Sequence, residues 1–171
     1  MNVIFIDIDG PLAWGTWQEG PVIINKGYAN EFKIPYPWVQ EDCDALNQII
    51  QKTDAALVIS SDWKLFFGLN QISSIFEHHG IPRWSILDAT SNYNPKKKLS
   101  SGIEWDRACQ IHHWVKQYKP KNWIAIDDLP LKPHFKYLEI PQWRHVESSG
   151  DFGDGKRLRE MVDECIKKLN K

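Results

Sequence analysis

"VIFIDIDGPLAW", residues 3–14, opens as a buried strand and closes as no core strand needs to. Val3, Ile4, Phe5 and Ile6 form an apolar run; Asp7 and Asp9 then flank Ile8, and the chain breaks at Gly10-Pro11. Side chains of a strand alternate faces, so Asp7 and Asp9 are expected on one side. Two carboxylates that close repel each other unless a cation or a proton relieves them. Taken alone, the pair reads equally as a solvated turn or as a metal or catalytic site at the end of a parallel strand.

Further strand-like runs lie at Ala55–Ser60, Trp84–Leu87, Trp123–Ile126 and Trp143–Val146, besides Val3–Ile8 itself. Helical periodicity fills the intervals: Glu41–Gln51, Leu69–His79 stopped by Gly80, Trp105–Tyr118 with Pro120 beyond it, and Lys156–Leu169. Strands alternating with helices imply right-handed crossovers and a mostly parallel sheet covered on both faces. The 171 residues are read as one α/β domain, 1–171, with a loop-rich insert at 11–39 that covers the end of the first strand.

Bulk properties narrow the class. Lys and Arg number 21 against 22 Asp and Glu, which disfavours a nucleic-acid coat or a membrane-surface protein. Cys43, Cys109 and Cys165 are isolated and odd in number, as in a reduced compartment, and no stretch approaches the ~20 apolar residues of a membrane span. A cytoplasmic protein with no membrane contact is expected. Most of the nine tryptophans are expected to pack.

In open parallel sheets, ligands bind beyond the carboxyl ends of the strands. Asp7 and Asp9 follow the first strand, Ser60, Ser61 and Asp62 follow "ALVI", and Asp127 and Asp128 follow "WIAI". Two acidic pairs with hydroxyls between them tip the reading toward a site. Converging hard oxygens without His or Cys suit Mg²⁺, which takes one or two carboxylates plus substrate phosphate.

These residues resemble the four motifs of the haloacid dehalogenase (HAD) superfamily: "DIDG" after a strand, a Ser ending the second strand, a basic residue, and "DD" after a later strand. "LVISSDW", Arg107 with Ile111, Trp114 and Val115, and "WIAIDD" look closest to the HAD domain of Swiss Army Knife RNA repair-like proteins. "WRHVESSGDF" is similar to the end of phage polynucleotide kinase phosphatase domains. The resemblance implies a three-layer Rossmann-like HAD fold, and the short Pro11–Gln51 interval implies no large cap domain.

Carried over by position, Asp7 is the nucleophile and a metal ligand. Asp9 is the general acid and later base, its backbone carbonyl reaching Mg²⁺. Ser60 binds the phosphoryl group, Gly10 and Ser61 lie with the substrate, and Arg107 is the third-motif cation, with Lys98 as its competitor. Asp128 is a direct metal ligand and Asp127 stands behind it or acts through water. Pro11 departs from the family's usual Thr or Val and removes an N–H near the phosphate. The implied activity is an Mg²⁺-dependent phosphohydrolase working through an aspartyl-phosphate.

A nucleic-acid or nucleotide 3′-phosphate end is the expected substrate. Trp14, Trp17 and Trp63 are candidate base-stacking rings, against a default of simple packing, and Lys96–Lys98 is a candidate path for a polyanion. A phosphorylated small metabolite or free nucleotide is the alternative, and a phospho-acceptor or phosphate-binding module without catalysis is a further one. His78-His79 and His112-His113 are expected on solvated helix faces, and "SGDFGDG" as a loop into the last helix.

Overall fold

The computed structural model describes residues 1–13, 21–24, 32–93, 102–148 and 156–171. Its five-stranded sheet is built from β1 (Asn2–Ile6), β4 (Ala55–Ile59), β5 (Ile86–Ala89), β6 (Asn122–Asp127) and β7 (His145–Glu147), in the order β5-β4-β1-β6-β7. Every pair in it is parallel. The chain runs outward from β1 through β4 to β5 and then returns to β6 on the other side. That reversal makes the carboxyl ends of β1, β4 and β6 the place where a ligand crevice opens.

Alternation along the strands sorts the core into two layers. Ile4, Ile6, Leu57, Ile59, Ile124 and Ile126 face α1 (Gln40–Thr53), α2 (Leu69–His78) and α5 (Val162–Leu169), meeting Leu46, Ile49, Ile50, Ile75, Phe76 and Cys165. Val3, Phe5, Val58, Trp123 and Ala125 face α3 (Ile103–Tyr118) and α4 (Lys132–Tyr137), meeting Ala108, Ile111, Trp114 and Phe135. Burying each such Ile, Leu or Phe contributes ~1.5–3 kcal/mol. The architecture is the three-layer α/β fold expected, and no helix among the described residues is long and apolar enough to cross a membrane.

Several boundaries differ from the sequence reading. β1 ends at Ile6, and residues 8–13 turn tightly, Leu12 and Ala13 N–H both donating to Ile8 C=O. Trp84 and Trp143 fall in 3₁₀ turns ahead of β5 and β7. The described parts of the insert are not all loop: Val22–Ile24 (β2) and Phe32–Ile34 (β3) pair antiparallel. The last helix begins at Val162, after a 3₁₀ turn at Leu158–Glu160. α4 was not foreseen. His79 is not solvated; it is 7% exposed and stacked on Trp38, with ring centroids 5.1 Å apart.

Candidate active site

The parallel ladder carries one residue past β1. Asp7 N–H donates to Ile126 C=O at 3.0 Å and Ser60 N–H to Ile6 C=O at 2.9 Å. Because Ile6 pairs with Ile59 and Ile126, the next residues in register are Asp7, Ser60 and Asp127. Strand alternation gives these positions the face that carries Phe5, Val58 and Ala125, the side covered by α3. The apolar stripe of α3 is anchored there, and one turn in, it delivers Arg107 to the strand ends.

Arg107 is 4% exposed and ties the cluster together. Its Nη1 lies 2.9 Å from Asp7 Oδ2 and 2.8 Å from Asp127 Oδ2, and its Nη2 lies 3.5 Å from Asp62 Oδ1. The remaining oxygen of Asp127 accepts from Leu129 N–H at 3.0 Å, so both oxygens of that carboxylate are engaged. Asp7 also accepts from Ile8 N–H at 2.8 Å and from the Ser61 hydroxyl. Asp128 is the exposed member. Gly10, at φ +91°, makes room for it: a Cβ there would lie 2.6 Å from Asp128 Cγ.

Burial raises Asp7 above the usual carboxylate range, and Arg107 and Ser61 pull it part of the way back. Asp127 is raised further, by burial and then by Asp7, and Asp128 is pushed up to about 6 by the same two causes. Burial works against the Arg107 guanidinium, but Asp7 and Asp127 outweigh it and hold the charge firmly in place. Among the described residues, the groups close enough to share an ion are Asp7, Asp127 and Asp128, with ligand oxygens within 4.8 Å of one another. Among the described residues, three carboxylates facing one guanidinium leave an uncompensated negative charge, and all donors are hard oxygens. This set fits a hard divalent cation.

Asp9 is held apart. Its Oδ1 accepts from the Tyr36 hydroxyl and from Trp63 Nε1–H, the latter at 2.9 Å. Tyr36 reaches it from just beyond β3, and Trp63 from the 3₁₀ turn Asp62–Leu65. The Tyr36 hydroxyl is raised well above the usual phenol range by burial and by its bond to Asp9, so it remains a donor. A cavity of about 450 Å³ opens beside Asp9, lined otherwise by Pro35, Tyr36, Asp62, Trp63, Phe66 and Phe67.

A family model for the HAD domain in Swiss Army Knife RNA repair proteins matches residues 3–152. The chain belongs to this HAD-domain family. No curated protein and no solved structure matches it significantly. The stretch covered by the HAD domain match includes every residue of the cluster just described.

In this HAD domain the sequence-expected residues Asp7, Arg107, Asp127 and Asp128 converge, with Gly10 and Ser61 against them. Others do not fall where they were expected. The Asp9 carboxylate lies outside the acidic cluster, because the turn after Ile6 ends the strand alternation that paired it with Asp7. The hydroxyl on Asp7 is that of Ser61; Ser60 is 1% exposed and its Oγ has no partner among the described residues. Trp63 is 4% exposed and edge-packed on Tyr36 and Trp38, at centroid distances of 6.0 and 5.7 Å. It orients Asp9 and has no free face for stacking a base. Trp14, Trp17 and Lys96–Lys98, with Lys98 the rival cation, lie outside the described residues.

Two residues at the site were not foreseen. One is Tyr36, hidden in the insert. The other is Lys64, whose Nζ donates to Thr90 Oγ1 at 2.7 Å and to Gln110 Oε1 at 2.6 Å, on the α3 side of the cluster. Burial, and then Arg107, lower Lys64 to about 8. Its place three residues after Ser61, just past a strand end, was the available signal.

Proposed function

We propose that this HAD domain is an Mg²⁺-dependent phosphohydrolase that acts through an aspartyl-phosphate on Asp7, on a phosphorylated nucleic-acid or nucleotide end. A 3′-phosphate is the specific substrate we favour. The observation that carries the reading is the separation of two carboxylates. Asp7 lies against Arg107 and the acidic pair, whereas Asp9 is turned away from them and fixed by Tyr36 and Trp63. A nucleophile needs cations around it, and a general acid needs to stand clear of them.

Asp7 attacks phosphorus, the bond to the ester oxygen breaks, and Asp9 gives its proton to the departing alkoxide. Asp9, now a carboxylate, takes a proton from water, which attacks the phosphoryl group and frees Asp7 and inorganic phosphate. Arg107 balances the negative charge that builds on the phosphoryl oxygens. Ser61, through its hydroxyl, takes the phosphoryl-holding role that the resemblance implies for Ser60. Asp7 and Asp128 would hold Mg²⁺ through their carboxylates and Asp9 through its backbone carbonyl, with Asp127 behind them because Arg107 and Leu129 N–H occupy its oxygens. When bound, Mg²⁺ neutralises charge between the attacking carboxylate and the phosphoryl group.

The nucleic-acid end is supported by the RNA-repair setting of the family and by the small β2–β3 ribbon, whose two strands are the strands that the described residues place between β1 and α1. A site with no large cap domain over it suits a polymer end. The test is phosphate release from 3′-phosphorylated oligonucleotides, mononucleotides and sugar phosphates. Chelation by EDTA is expected to remove activity, and Mg²⁺ to restore it. Asp7→Asn should abolish activity while the far-ultraviolet spectrum stays native. Turnover near wild type in Asp7→Asn would overturn the mechanism, and a preference for sugar phosphates would overturn the substrate.

A further inference from the structure

We infer that the cavity beside Asp9 is the subsite for the leaving group and that it takes the uncharged ring of a nucleoside; the inference rests on Asp9 being the general acid. The group that receives the Asp9 proton departs on the Asp9 side of the phosphorus, away from Arg107. On that side the structure offers a cavity of about 450 Å³ walled by Pro35, Tyr36, Phe66 and Phe67. Its volume falls within the range of small-molecule sites.

The chemistry of the walls selects the occupant. Among the described residues, the charged groups on the cavity are Asp9 and Asp62, both acids, and the basic groups Arg107 and Lys64 are not among its lining residues. A second phosphate would be repelled there, so the subsite takes the part of the substrate that carries no charge. The remaining lining is apolar and mostly aromatic, which suits a flat ring better than a polyol, whose hydroxyls would lose water without gaining partners.

Phe66 marks the mouth. It is 78% exposed although its neighbours Trp63 and Phe67 are packed ring on ring at 5.4 Å. A phenyl group left in solvent at the edge of an aromatic cavity is a surface prepared for a ring that arrives with the substrate. The terminal base of a nucleotide, carried on the sugar whose oxygen leaves, satisfies both the position and the chemistry. Sequence-tolerant recognition follows, because every base has a π face.

The experiment compares adenosine 3′-monophosphate with glycerol 2-phosphate; both release a secondary alcohol, but only one carries a ring. Wild type is expected to favour the nucleotide in kcat/KM. Phe66→Ala should reduce that ratio about tenfold, the loss of one stacking contact, and Phe66→Trp should retain it. Because Phe66 is on the surface, its truncation leaves the core untouched. A ratio unchanged by Phe66→Ala, or a wild type with no preference for the ring, would overturn the subsite and leave the phosphohydrolase standing. The same two esters are titrated calorimetrically into Asp7→Asn with Mg²⁺, with and without Phe66→Ala. Ring-dependent binding to Asp7→Asn, together with a wild type that hydrolyses neither ester, would instead retain the subsite and overturn the hydrolase. Neither hydrolysis nor ring-dependent binding would overturn both.

Discussion

In the mechanism proposed for Asp9, much of the role is set by neighbours outside the motif. Tyr36 and Trp63 both donate to one oxygen of its carboxylate. A general acid matters most when the leaving group is a poor one, since a stable leaving anion needs no proton. Asp9→Asn is therefore expected to lower turnover of an alkyl phosphate by about 10²–10⁴-fold and that of a nitrophenyl phosphate far less. Tyr36→Phe, which removes a hydroxyl that donates to Asp9, should move the two substrates in the same pattern but by a smaller factor. Equal losses on both esters would remove the acid role from Asp9. Asp7, Asp127 and Asp128 were legible because acids that end apolar strands have few other uses. Arg107 was legible only through the resemblance. Tyr36 was not, because nothing in the spacing of the insert says which of its side chains folds back over β1. The choice between Ser60 and Ser61 was beyond sequence for another reason. Register places Ser60 beside Asp7, but β4 ends at Ile59 and the chain beyond it brings the Ser61 hydroxyl onto Asp7 instead.

At the scale of elements, long amphipathic helices were readable to within a few residues, since α1, α2 and α3 each carry a sustained apolar stripe. Short elements were not. α4 spans six residues with Pro133 in its first turn, and β2 and β3 span three residues each, too few for any period to show. His79, which closes α2, was misplaced because its burial comes from another element. It is stacked on Trp38 and lies 3.4 Å from Gln40 Oε1, at the start of α1. Burial, aided by His78, lowers His79 to about 4 from an ordinary 6.5. The unfolded chain then takes up the proton before the folded one does. The neutral ring's contribution is fully present above pH ~6.5 and is lost as pH falls toward ~4. Urea unfolding should find His79→Gln losing about 2 kcal/mol less stability than wild type between pH 7 and pH 5. Parallel losses in the two proteins would mean that His79 does not link α2 to the acid limb.

For the whole molecule, the acidic cluster concentrates like charge at one end of the sheet. The net charge of −1 is close to balance, yet Asp7, Asp127 and Asp128 are gathered at one end of the sheet with Arg107, among the described residues, as the cation directly on the cluster. Without a divalent cation, these carboxylates repel one another and the folded state bears the strain; the unfolded chain disperses them and does not. Two consequences can be read in one set of melting curves at pH 7.5. Mg²⁺ at a hundred times its dissociation constant should stabilise wild type by about 2.7 kcal/mol, and for a chain of this length each kcal/mol raises Tm by about 2–4 °C. Asp128→Asn removes one charge of the cluster at its exposed edge, beside Gly10, without opening a cavity. It should melt higher than wild type in EDTA, by about 1 kcal/mol, and respond little to Mg²⁺. The crossing is the informative feature, because a variant damaged in its packing would melt lower under both conditions. A wild-type Tm indifferent to Mg²⁺, or an Asp128→Asn protein that gains as much from Mg²⁺ as wild type, would place the cation elsewhere. It would also leave the acidic strand ends without the relief that their convergence requires.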